Sequence, residues 1–118
     1  MTVYLGNAFS LQMVEPPTFI MQTAATRETV ANALKTNPHI VKIVGHQETA
    51  DVLSQMLGVE IPRNRQSIVM KPGDTIYVAQ VVGGRLPEGS TTLPPGVKIE
   101  FRRVDVIGRE CPDDEKEG

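Results

Sequence analysis

HIVKIVGHQETADVLSQMLG, residues 39–58, is the stretch on which the fold turns. Its first six residues, His39 to Val44, are β-branched and apolar enough to predict a central strand covered on both faces. Gly45 ends that run. From Gln47 to Leu57 the apolar set Ala50, Leu53, Met56 and Leu57 keeps helical spacing, and Gly58 stands where a left-handed residue stops a helix. His46 therefore falls at a strand-to-helix junction.

Working outward, Thr26 opens a further predicted helix with Arg27 and Glu28 in its first turn. Val30, Ala33 and Leu34 form its apolar stripe, and Asn37-Pro38 ends it. Thr2 to Leu5 alternates weakly and stops at Gly6-Asn7, a first strand whose turn presents Asn7 and Ser10. After Pro16-Pro17, the run Thr18 to Met21 predicts a second strand. Downstream, Ser67–Met70 and Thr75–Val82 flank Lys71-Pro72-Gly73-Asp74 and read as a hairpin. Gly83-Gly84 break its second strand. A turn-rich stretch follows from Arg85 to Gly96, and Val97 to Ile107 reads as a long strand at an edge or partly covered position. The order implies one small mixed α/β domain over residues 1–107, with helices packed on a central sheet of about five or six strands, and an acidic, disordered tail over 108–118. There is no Gly-x-Gly-x-x-Gly after the first strand and no Walker-type Gly-Lys-Ser/Thr, which argues against a doubly wound nucleotide fold.

A chain of 118 residues holds one domain, and 40% hydrophobic against 22% charged residues requires a folded core. Net charge −2 with three Phe, two Tyr and no Trp argues against a general binder of long nucleic acid. An anionic ligand must be met by a local cluster of cations. The lone Cys111 excludes an internal disulfide, and with His39 and His46 it offers too few soft ligands for a zinc site, so neither metal nor cofactor is expected. No basic leader precedes an apolar segment and no run approaches the ~18 apolar residues of a membrane span. An unprocessed, cytoplasmic protein without a membrane partner is the expectation.

Three stretches carry polar residues that element formation does not explain: Asn7–Ser10, Gly45–Thr49 and Gly83–Gly89. All fall where predicted strands end, and such loops can converge at one rim of a sheet. His46 fits either a helix-start residue or a general acid. In the second role a bound phosphodiester would stabilise an imidazolium beside it, and the helix N-terminus would offer backbone amides near Gln47 to Thr49 to the same anion. Arg85 and Glu88 fit either a surface ion pair or a phosphate clamp with a carboxylate that orients a hydroxyl. Arg63 and Arg65 are solvated cations or ligand contacts. Gln80 reads a base edge or faces water. No protein nucleophile with an identifiable base is present. RNA phosphodiester cleavage can proceed without one, because the ribose 2′-hydroxyl attacks the adjacent phosphorus.

These same stretches resemble the viral anti-CRISPR ring nucleases that degrade cyclic tetra-adenylate, the second messenger of type III CRISPR defence. The resemblance runs through Asn7-Ala8-Phe9-Ser10, Gly45-His46 with Thr49-Ala50, Leu57-Gly58, Asn64-Arg65, and Gly73-Asp74 to Gly89 with Gln80, Arg85, Leu86 and Glu88, and it reaches the final strand from Ile99. It implies a homodimer enclosing the ring at its two-fold axis and cleaving it, without metal, to linear di-adenylates ending in 2′,3′-cyclic phosphate. His46 would be the general acid and Arg85 and Glu88 would complete the catalytic set. Asn7, Ser10, Arg65 and Gln80 would line the ligand pocket. Ser90 to Gly96 departs from relatives that carry a longer, helical insertion there.

Two other functions share parts of this pattern. A non-catalytic sponge for the cyclic oligoadenylate would keep every pocket residue. A viral nucleic-acid-binding or interaction dimer would need none of them.

Overall fold

The computed structural model describes residues 1–108. The chain forms β1 (Val3–Gly6), a short 3-10 turn (Leu11–Met13), β2 (Phe19–Ala24), α1 (Arg27–Thr36), β3 (Val41–Ile43), α2 (Gln47–Leu57), β4 (Thr75–Val82) and β5 (Lys98–Gly108). The strands make one five-stranded sheet in the order β2-β5-β4-β1-β3. β1 runs parallel to both β3 and β4, whereas β5 is antiparallel to β4 and to β2. The expected mixed α/β domain is therefore present, with five strands.

Both helices lie on one face. Val30 and Leu34 of α1 and Ala50, Leu53 and Leu57 of α2 close over Leu5, Tyr77, Ala79 and Phe101. Leu53 is fully buried, and truncating such a side chain to alanine costs about 2–5 kcal/mol. Among the described residues no α-helix covers the opposite face. There Ile76, Val78, Val104 and Val106 pack against Phe9, Met13, Val14, Ile68 and Met70, which arrive on irregular chain. The buried Asp74 carboxylate accepts from the Thr2 and Lys71 amides at 2.8 and 2.9 Å, pinning the start of β1 beside β4.

Two expectations need correction. Residues 67–70 form no strand, so the hairpin does not exist: the Lys71–Asp74 turn is made, with Asp74 N–H on Lys71 O at 2.9 Å, but β4 pairs with β1 and β5 instead. The apolar run from His39 contributes only Val41–Ile43 to the sheet, and at its edge rather than its centre. It is apolar because Ile43 enters one core and Ile40 and Val44 the other, while Asn64 covers its outer side through N–H to Val44 O and Nδ2 to Lys42 O, both 2.8 Å. β5 is partly covered, one of the two positions expected for it, and lies inside the sheet; its exposed Arg102 and Arg103 reflect how little covers it near β2, every residue of which is exposed. Gly108 ends β5 and so belongs to the sheet rather than to the tail expected over 108–118, whose remaining residues lie outside the described ones.

Candidate functional site

Because β1, β3 and β4 are mutually parallel, their C-terminal ends share one rim of the sheet. Asn7 follows β1, Gly45-His46 follows β3, and Gly83 to Gly89 follow β4. The three stretches singled out in the sequence thus converge.

The junction after β3 is held from both sides. Asn7 Oδ1 accepts from the Gly45 amide at 3.2 Å, and Arg63 Nε donates to the Gly45 carbonyl at 3.2 Å. The Arg65 stem lies alongside, so that a Cβ on Gly45 would stand 3.5 Å from Arg65 Cγ. His46 then caps α2 in extended backbone without a side-chain capping bond. Ala50 N–H makes the first bond back to His46 O, at 2.9 Å, and the amides of Gln47, Glu48 and Thr49 have no partner among the described residues. Free amides at the positive end of a helix are suited to an anion.

A cavity of about 400 Å³ opens in front of that helix end, lined by His46, Glu48, Thr49, Val81, Gly84, Arg85 and Leu86. His46 and Arg85, far apart in sequence, therefore face one space. Thr49 is 5% exposed, and its hydroxyl makes no hydrogen bond among the described residues. A buried hydroxyl without a partner is uncommon and calls for water or ligand. Glu48 reaches across to the loop after β4, where its Oε2 accepts from the Gly89 amide at 3.3 Å. That loop is pinched at its base: Gly83, at φ 90°, passes so near Gly96 that a Cβ there would fall 2.2 Å from the Gly96 carbonyl oxygen.

The remaining expected site residues are more dispersed. Glu88 is exposed in the Pro87–Ser90 turn and is not part of the cavity wall. Ser10 lines a second cavity of about 370 Å³, with Ala8, Gln12, Gln66 and Ser67. Gln80 precedes Val81 on β4, so it points away from the His46 cavity, toward the face without helices. Asn7 Oδ1 is occupied by Gly45 N–H, and the Arg65 stem lies beside Gly45 without lining either cavity. Glu48 and Thr49 belong to a stretch that the sequence flags, but which of its polar groups is buried and which reaches the neighbouring loop is legible only in the fold. Among the described residues no helix is long and apolar enough to cross a membrane.

The chain resembles known proteins over nearly all of this architecture. B116 of Sulfolobus turreted icosahedral virus has a solved structure that superposes with a TM-score of 0.78 at 26% identity, covering 89% of this chain and 99% of that one. Uncharacterized protein 26 of Sulfolobus islandicus filamentous virus (isolate Iceland/Hveragerdi) is 29% identical over 87 residues, 74% of this chain and 73% of that protein. The STIV B116-like family model matches residues 3–105, from the start of β1 through most of β5, and the chain belongs to this family of viral proteins.

Proposed function

We propose that this protein is a ring nuclease that opens cyclic tetra-adenylate into linear di-adenylates ending in 2′,3′-cyclic phosphate, thereby silencing type III CRISPR signalling in the host cytoplasm. One observation carries the reading: His46 and Arg85 line a single cavity at the uncapped N-terminus of α2, beside the unpartnered hydroxyl of Thr49. A phosphodiester seated there meets three classes of group that its transition state needs, namely fixed donors, a guanidinium and an imidazole.

In this mechanism the ribose 2′-oxygen forms the new bond to phosphorus, and the bond from phosphorus to the 5′-oxygen breaks. The 2′-hydroxyl proton passes to solvent. Arg85 and the free amides of Gln47 to Thr49 stabilise charge on the phosphorane oxygens, while His46 protonates the departing 5′-oxygen. Glu88, exposed in the turn that follows Arg85 and outside the cavity wall, is assigned to orienting the attacking hydroxyl by the resemblance to ring nucleases alone. The route uses no protein nucleophile and asks no metal or cofactor of the protein. Asn7 holds Gly45 through its Oδ1 and keeps its Nδ2 for the ligand, while Ser10 and Gln80, which lie outside the His46 cavity, would meet the ring only where it extends beyond that cavity, as would Arg65 beside Gly45.

A cavity of about 400 Å³ is near the lower end of the roughly 300–1,000 Å³ that suits a drug-sized ligand. Four nucleotides exceed it. The resemblance to ring nucleases implies a homodimer with a cavity at its two-fold axis, and a ring that spans two copies of the site fits a cavity of this size.

The test is incubation of excess purified protein with radiolabelled cyclic tetra-adenylate in EDTA, followed by chromatography of the products. Linear di-adenylate bearing a cyclic phosphate is expected. An intact ring that co-elutes with the protein would replace catalysis with sequestration, and a ring that neither binds nor breaks would overturn the proposal.

A further inference from the structure

The loop between β4 and β5 carries both Arg85 and Glu88, and although Leu86 and Leu93 are partly buried, few hydrogen bonds fasten it. Among the described residues, its hydrogen bonds between 85 and 95 are Ser90 N–H to Pro87 O at 3.0 Å, Val97 N–H to Pro94 O at 3.1 Å, and Gly89 N–H to Glu48 Oε2 at 3.3 Å. The first two are local turns. Of these hydrogen bonds only the third ties the loop to the rest of the molecule, and it does so at the first turn of α2, two residues beyond His46.

The turn geometry makes that amide available. Pro87 to Ser90 close a turn in which Gly89 is the third residue, at φ 81°. The closing bond uses the Ser90 amide, so the Gly89 N–H projects free of the turn. Glu48 is partly buried, lines the cavity with His46 and Arg85, and makes no ion pair among the described residues. Its one described hydrogen bond through the side chain is to Gly89. With the loop pinched at Gly83 and Gly96, a bond near the tip sets the direction of the segment between, which is where Arg85 lies.

We infer that Glu48 is a positioning residue of the site: its carboxylate holds the Gly89 amide and so sets Arg85 in front of the α2 N-terminus before substrate arrives. The inference rests on the proposed phosphodiesterase reading for its catalytic consequence, but the tether itself does not. Preorganising the loop spares the complex the cost of ordering it, so the tether acts on turnover more than on capture of the ring, whose phosphate still meets the helix amides.

The experiment compares wild type with Glu48→Ala and Glu48→Gln. Glutamine keeps a carbonyl oxygen to accept from Gly89, whereas alanine removes the acceptor. Exchange of the Gly89 amide with solvent, followed by NMR, is expected to accelerate roughly tenfold in Glu48→Ala and to stay close to wild type in Glu48→Gln. In the same proteins kcat for cyclic tetra-adenylate falls roughly tenfold in Glu48→Ala with ring affinity nearly unchanged, and Glu48→Gln restores most of it. Equal Gly89 exchange in wild type and Glu48→Ala overturns the tether. A protected Gly89 with both variants equally slow overturns the positioning role, because the lost charge would then be the cause. If wild type leaves the ring intact, the function proposal fails, and the Gly89 exchange rates alone still decide whether Glu48 holds the loop.

Discussion

The two helices of this protein begin in opposite ways. α1 is closed by its own cap: Thr26 Oγ1 accepts from the Thr29 amide at 3.1 Å, and Glu28 places a carboxylate in the first turn. α2 begins at His46, whose side chain makes no capping bond, and its first-turn amides face a cavity with Arg85 on the far wall. One helix start has a side-chain cap within the fold, which contributes stability. The other leaves its donors free, which costs stability and makes a place for an anion.

The largest effect that would break this comparison lies at His46. His46→Ala should reduce ring cleavage by on the order of 10²–10⁴-fold, as expected for a lost general acid, and leave ring binding intact. Its stability in urea should stay within about 0.5 kcal/mol of wild type, since no capping bond is lost. Cleavage at the wild-type rate would remove His46 from the mechanism.

Gly83→Ala tests the other wall. A Cβ would fall 2.2 Å from a backbone oxygen and at a φ of 90°, so the base of the loop must move. A stability loss of about 1–3 kcal/mol with impaired cleavage is expected. Wild-type stability and cleavage would show that the pinch at Gly96 is not maintained.

Thr49→Val sharpens the contrast, because it removes a buried hydroxyl that has no described partner while keeping its shape. Thermal stability should hold or rise, and affinity for the ring, measured by titration calorimetry, should fall roughly tenfold. A clear loss of stability would mean that the hydroxyl has a structural partner.

Thr26→Ala is the reciprocal experiment. Loss of its cap should cost about 1 kcal/mol in denaturant unfolding with no change in cleavage rate. An effect on cleavage would show the two helix ends to be coupled.

The smallest effect is one of pH. Glu28 has its carboxyl held below the ordinary range, first by the backbone amide it accepts from and then by Arg27, with which it pairs at 3.4 Å. A lowered folded value means that its stabilisation is present above the unfolded value and fades as pH falls from that value through the folded one. Both side chains are exposed, so Glu28→Gln should flatten the acid side of the stability profile only slightly. A steep change would indicate partners for Glu28 beyond Arg27.

Much of the local structure was legible in the sequence. Thr26 and Gly58 mark a helix start and a helix stop, because a hydroxyl cap and a residue at φ 71° are local requirements that the residue type itself meets. The stripes Val30/Leu34 and Ala50/Leu53/Leu57 found one core because their spacing allows only one apolar face per helix. The segment before the Lys71–Asp74 turn shows where such reading ends. Ile68 is half-buried, Val69 exposed and Met70 buried, an alternation that looks like a strand. Yet Met70 N–H bonds to Met13 O at 2.7 Å, across the sheet face, because both sides of β4 are taken by β1 and β5.

The sequence by itself determined the two α-helices with their boundaries, the strands other than the false one at 67–70, and the three polar stretches at strand ends, since each depends on contacts within a few residues. Tertiary structure alone decided that β3 is an edge and β4 the centre, that Gln80 and Ser10 lie away from the His46 cavity, and that Glu48 reaches Gly89. Strand pairing and cross-loop hydrogen bonds join residues tens of positions apart, and their partners are selected by competition among all strands for the same ladder and the same buried face.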